Sequence, residues 1–180
     1  VSGTVSADHL EDTAKQAYQS QQWTEAGQGF EAARRAYETA GDELKAAEMA
    51  NNACVAFLQA GEAKRALESV EGTQAIFDRL QAPHRAAQAM GNLASALEGC
   101  GRSEDAERAY ADAAERFKAL GDDEARADTL KALSQLQLKR GRAVDALTSM
   151  QIGLEGSRRL GARERFLRWL ARIPMRIMGG

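Results

Sequence analysis

Three asparagines, Asn51, Asn52 and Asn92, carry the most suggestive chemistry in this chain. An amide side chain offers both a donor and an acceptor. It can therefore pair with the N–H and C=O of a peptide main chain, whatever side chains that peptide bears. Asparagine is a middling helix former, so three of them inside stretches that otherwise favour helix ask for a reason. Asn52 and Asn92 share one register of a repeating pattern set out below. The same amides would equally serve as hydrogen bonds between helices that steady the stack, and the sequence leaves both uses open.

Other candidate chemistry is sparse. A nucleophilic triad needs a histidine held beside a nucleophile and an orienting group, and His9 and His84 stand far apart with no such pattern around them. Cys54 and Cys100 form no C-x-x-C pair and suit neither a zinc site nor a disulfide framework, which favours a reducing compartment. Cys54 shares a small-residue column with Ala14, Ala94 and Ser134 and reads as a buried structural thiol, whereas Cys100 precedes a turn. Gly27-Gln28-Gly29 lacks the preceding strand and third glycine of a dinucleotide fingerprint. The pairs Glu104-Asp105 and Asp122-Asp123 open helices, where the helix dipole accounts for them. The expectation is a protein without enzymatic activity, metal or cofactor.

The elements that must position these residues are helical. Of 180 residues 36 are alanine and two are proline, the best and worst helix formers. A net charge of −2 excludes the broadly basic surface common in nucleic-acid binding, and no apolar run is long enough for a membrane span. Gly41, Gly61, Gly101, Gly121, Gly141 and Gly161 lie on a 20-residue grid whose points at 21 and 81 hold Gln. Glycine commonly ends a helix, so the grid reads as alternating helix and turn. Self-similarity is stronger at twice that spacing. Ala7, Ala47, Ala87 and Ala127 form one column, and Ala26, Ala66, Ala106 and Ala146 a second. Phe30, Val70, Tyr110 and Met150 form an apolar third. Such a period marks a solenoid of stacked helix pairs. The pairs are expected over 6–40, 42–80, 82–120 and 122–160, after a disordered stretch at 1–5.

Each second helix carries Ala, three residues, then a large apolar residue, as in Ala26 to Phe30 and Ala106 to Tyr110. First helices carry a large-then-small pair, such as Leu93-Ala94, before the turn glycine. This resembles the tetratricopeptide repeat over most of the chain, in a 40-residue form similar to the repeats of kinesin light chains, spindle-orientation adaptors and soluble NSF attachment proteins. The period departs from the family's usual 34, and its early Trp and closing Pro are absent. The resemblance implies an all-α, right-handed α-solenoid whose first helices line a concave groove for an extended peptide or a partner's helix. It places Asn52 and Asn92 in that groove as main-chain contacts, with Glu48, Val55, Gln59, Gln88, Ser95, Lys131 and Gln135 on the same face. Such a lining is mixed and mostly neutral. The basic residues of a carboxylate clamp are not matched as a set.

Residues 162–180 break the repeat. Five arginines against Glu164 give this segment +4, leaving −6 on the rest of the chain. Phe166, Leu167, Trp169, Leu170 and Ile173 fall at near-helical spacing before Pro174. One use is a helix that caps the last repeat. Another is contact with a membrane surface or partner through Arg168, Trp169, Arg172, Ile173 and Arg176. The sequence thus predicts a noncatalytic adaptor that binds a protein or peptide and no nucleic acid. It would be cytoplasmic, with the alternative of a membrane-associated assembly factor acting through its C-terminal segment. Its oligomeric state stays open.

Overall fold

The computed structural model describes residues 6–154, and helix follows helix along them. The order is α1 (Ala7–Gln19), α2 (Trp23–Ala40), α3 (Glu43–Gln59), α4 (Ala63–Val70), α5 (Thr73–Arg79), α6 (Pro83–Gly99), α7 (Ser103–Leu120) and α8 (Asp123–Lys139). A further helix, α9, occupies 143–154, where the described residues end. No strand occurs among them. The stretches at 1–5 and 155–180, with the end of the expected fourth pair, Gly161, Arg168, Trp169, Arg172, Ile173 and Arg176, lie outside the described residues.

Each of the seven grid turns among the described residues closes in one way. The grid residue takes a left-handed conformation, and the next N–H returns to a carbonyl five residues back. Glu62 reaches Phe57 at 2.8 Å, Arg102 reaches Leu97 at 2.9 Å and Arg142 reaches Gln137 at 2.8 Å. Glycine supplies that conformation without a Cβ penalty at five of these turns. Gln21 and Gln81 adopt it with φ of 59° and 55°, at a steric cost of about 1 kcal/mol. Gln81→Gly should therefore raise stability by about 0.5–1 kcal/mol, seen as a higher urea midpoint with an unchanged slope. An unmoved or lowered midpoint would show that the turn carries no strain. Aspartate side chains cap the starts of α3 and α8. Asp42 accepts from the Lys45 N–H and Asp122 from the Ala125 N–H, each at 3.0 Å, and Pro83 opens α6.

The short turns fold neighbouring helices back on each other in two layers. One layer holds α1, α3, α6 and α8. The other holds α2, α4 with α5, α7 and α9. From α1 to α4 and from α5 to α8 each helix packs on the next, and α3 and α6 meet each other and both halves of the interrupted outer helix, the nearest-neighbour pattern of an α-solenoid. The alanine column explains how closely the layers meet. Ala26, Ala66 and Ala106 are wholly buried and Ala146 nearly so, while Phe30, Val70 and Tyr110 fill the space beside them. The apolar column loses its packing at the last repeat. Met150 is 52% exposed, and Val144, Leu147 and Leu154 are exposed on the same helix. Among the described residues no helix is long and apolar enough to cross a membrane.

The structure differs from the sequence expectation in the second pair, where one outer helix was expected. Glu71 is extended at φ −57° and ψ 126°, and Gly72 follows in the left-handed region at φ 81°. The outer helix therefore stops at Val70 and restarts at Thr73, whose hydroxyl donates to the Val70 carbonyl at 2.5 Å. The interruption borders a cavity of about 480 Å³ whose lining includes Ala46, Ala47, Ala50, Glu71, Thr73 and Ile76.

Candidate functional site

The face formed by α3, α6 and α8 carries a groove of about 450 Å³. Gln88, Gly91, Asn92 and Ser95 line it from α6, at the i, i+3, i+4, i+7 spacing of one helix face. Ala125, Asp128, Thr129 and Ala132 face them from α8. Asn51 reaches in from α3, and the rings of Tyr110 and Phe117 on α7 form its floor. Both rings are almost fully buried, so the floor is rigid and the walls are polar.

Two hydrogen-bonded groups organise the walls. Asn92 Nδ2 donates to Asn51 Oδ1 at 2.9 Å, tying α6 to α3. One bond leaves Asn92 Oδ1 and the Asn51 N–H groups able to take further partners. Ser95 Oγ lies 3.0 Å from the Tyr110 hydroxyl and also donates to the Gly91 carbonyl at 3.1 Å. The Tyr110 hydroxyl donates to Glu98 at 3.3 Å. Burial, with help from the Glu98 carboxylate, pushes the Tyr110 phenol above its usual range, so it remains a neutral hydrogen-bonding group at physiological pH.

The sequence candidates are distributed unevenly. Gln88, Asn92 and Ser95 come together in the groove. Asn52 and Val55 line a separate recess of about 250 Å³ with Tyr18 and Phe30. Glu48 is held by Arg85 at 2.7 Å and by Lys45 at 3.7 Å. Gln59, Lys131 and Gln135 are exposed but border neither recess. Asn51, Gly91, Asp128 and Tyr110 are groove residues that the register did not single out as such. A signal for Asp128 was present, since it stands one full repeat after Gln88.

Reactive groups elsewhere are occupied structurally. Cys54 is fully buried and its thiol is pushed up to about 12 by burial, far from a reactive thiolate. His84 lies 3.7 Å from Asp122 in an exposed contact, and His9 sits in the capped first turn of α1. Among the described residues no three metal-ligating side chains cluster.

Two layers of antiparallel helices, one stacking unit per repeat of the sequence pattern and a groove on one layer define a tetratricopeptide-type α-solenoid. The model of the soluble NSF attachment protein (SNAP) family matches residues 4–150, and the chain belongs to that family. No curated protein sequence matches it. Among solved structures it resembles aspartyl phosphate phosphatase F from Bacillus subtilis, with a TM-score of 0.75 and 14% identity over 86% of this chain and 41% of that one. BtubC (BKLC) from P. vanneervenii superposes with a TM-score of 0.74 and 17% identity over 86% of this chain and 64% of its own. The Rap conjugation gene regulator of plasmid pLS20, in complex with the Phr* peptide, gives a TM-score of 0.59 and 16% identity over 93% of this chain and 59% of that one. The chain thus spans 41–64% of the length of these three proteins.

Proposed function

We propose that this protein is a noncatalytic interaction module that holds an extended peptide segment of a partner protein in the α3–α6–α8 groove. The observation that carries this reading is the Asn51–Asn92 pair. It is a partly satisfied amide bridge in the wall of a polar groove with a buried aromatic floor. Such amides suit a peptide main chain better than any one side chain. The reading draws support from the SNAP family description, an attachment protein, and from the pLS20 Rap regulator, which was solved with a peptide. Asn52 would add a second main-chain contact from the neighbouring recess.

An affinity pull-down from native lysate tests this, comparing wild type with Asn92→Ala and with the Asn52→Ala/Asn92→Ala pair. Folding is checked by circular dichroism. A partner held by wild type and lost by the folded variants places binding in the groove, and the double variant should weaken it by about a hundredfold. Equal retention by all three, with only a lower melting temperature in the variants, would reduce the asparagines to a bridge between helices.

A further inference from the structure

Five glycines stand inside helices among the described residues, and three have a packing reason. A Cβ at Gly27 would run into the Phe57 ring. One at Gly29 would come within 2.8 Å of the Ala14 Cβ, and one at Gly99 within 2.7 Å of the Ala63 Cβ. At Gly153 a Cβ would make only ordinary contact, 3.4 Å from the Ala127 carbonyl oxygen on α8. Gly91 is different. Nothing lies within 4 Å of where its Cβ would be, and its φ is not in the left-handed region. A glycine inside a helix costs about 1 kcal/mol relative to alanine, and at this position the fold gains nothing visible in return. The equivalent positions one repeat to either side hold Asn51 and Lys131. The space that a side chain would fill opens into the groove between Gln88, Asn92 and Ser95.

We infer that Gly91 opens a ligand subsite in the α6 wall of the groove, where a partner's extended peptide crosses α6 with its main chain against the helix and a basic side chain directed to Asp128. This rests on the groove reading above and specifies it. Without a side chain at 91, a peptide backbone can settle close enough to meet the Asn51 and Asn92 amides. A side chain there would stand between the two. The charge preference follows from the neighbouring ion pairs. Glu48 is neutralised by Lys45 and Arg85, and Glu98 by Lys139 at 2.7 Å. Asp128 is the one charged residue lining the groove, it is exposed, and none of the ion pairs among the described residues includes it. A lysine or arginine in the peptide completes it.

Random-sequence peptides displayed on phage, selected on the full-length chain and resynthesised, provide the probe. Gly91→Leu should weaken the selected peptide by about tenfold or more, because the leucine occupies its path. Gly91→Ala should weaken it less while raising the melting temperature, since alanine favours the helix and meets nothing. Asp128→Asn should weaken peptides carrying Lys or Arg and flatten their salt dependence. A peptide held equally by wild type and both Gly91 variants, yet lost by Asn92→Ala, overturns the Gly91 assignment and leaves the groove reading standing. Loss of salt dependence in none of the Asp128→Asn measurements overturns the basic-residue preference. Selected peptides indifferent to Gly91, Asn92 and Asp128 alike, or no enrichment at all, overturn both this inference and the groove reading.

Discussion

Gly27→Ala should destabilise the protein by about 3 kcal/mol, the high end of overpacking costs. The added Cβ would overlap three ring atoms of Phe57 on α3, all nearer than real Cβ atoms approach their neighbours. A flexible tip would swing aside, but Phe57 is completely buried and the Arg65 guanidinium lies over its ring at 3.9 Å. The ring is enclosed and has Arg65 over one face, so α2 and α3 must separate or Arg65 must give way. Urea denaturation measures the loss. Phe57→Leu supplies the decisive companion, since it removes the atoms that collide. Alone it should cost about 1 kcal/mol, and in the Gly27→Ala background it should recover most of the lost stability. Strict additivity of the two changes would show that they do not meet.

Glu11→Gln should cost about 2 kcal/mol near neutral pH, the range for hydrogen bonds to a charged group. Glu11 is 5% exposed and joins three helices. Lys15 Nζ lies 2.6 Å away, the Tyr37 hydroxyl 2.5 Å and Lys45 Nζ 3.3 Å. Burial acts to raise its pKa, but the hydrogen bonds from Lys15 and Tyr37 and the charge of Lys45 outweigh it and hold the carboxyl below its usual range. A carboxyl depressed in the folded state contributes stability fully above its unfolded pKa, about 4.3. That contribution is lost as pH falls through the folded value. The gap between wild type and Glu11→Gln should therefore be constant from pH 6 to 8 and close below about pH 4. Thermal melts across that span check it. A gap that persists unchanged at low pH would mean that Glu11 acts through shape and not through charge.

Sequence periodicity carried the fold class because solenoid packing writes itself into columns. Each unit meets copies of the same neighbours, so Ala26, Ala66, Ala106 and Ala146 face the same close approach and all need a small side chain. The grid glycines were legible for the same reason, as one turn geometry recurs. The Gly72 interruption was not. A single glycine in a helical stretch is usually tolerated, and only its left-handed conformation distinguishes it from Gly91, which continues its helix. The polar lining of the candidate groove was legible in part, through Gln88, Asn92 and Ser95, but its pairing was not. Asn92 pairs with Asn51 on the neighbouring helix, and not with its register mate Asn52. Columns report which residues share an environment. They do not report the stagger between adjacent helices that decides which two side chains touch. Tyr110 shows a related limit. It reads as core from its column, and it is buried, yet its hydroxyl edge joins Ser95 at the groove.

The common closure of the turns has an evolutionary consequence. The left-handed residue and its return hydrogen bond are alike at positions 61, 101 and 141. A stretch of chain cut at one of these turns and rejoined at the next presents the same geometry at both ends. Gene segments encoding whole helix pairs could thus be duplicated or lost without requiring a new joint. Tolerance of such events falls to the surfaces between units, chiefly their matched alanines and their stagger. Lineages of this fold can therefore change in length by steps of one unit, lengthening or shortening the grooved layer while the architecture stays the same.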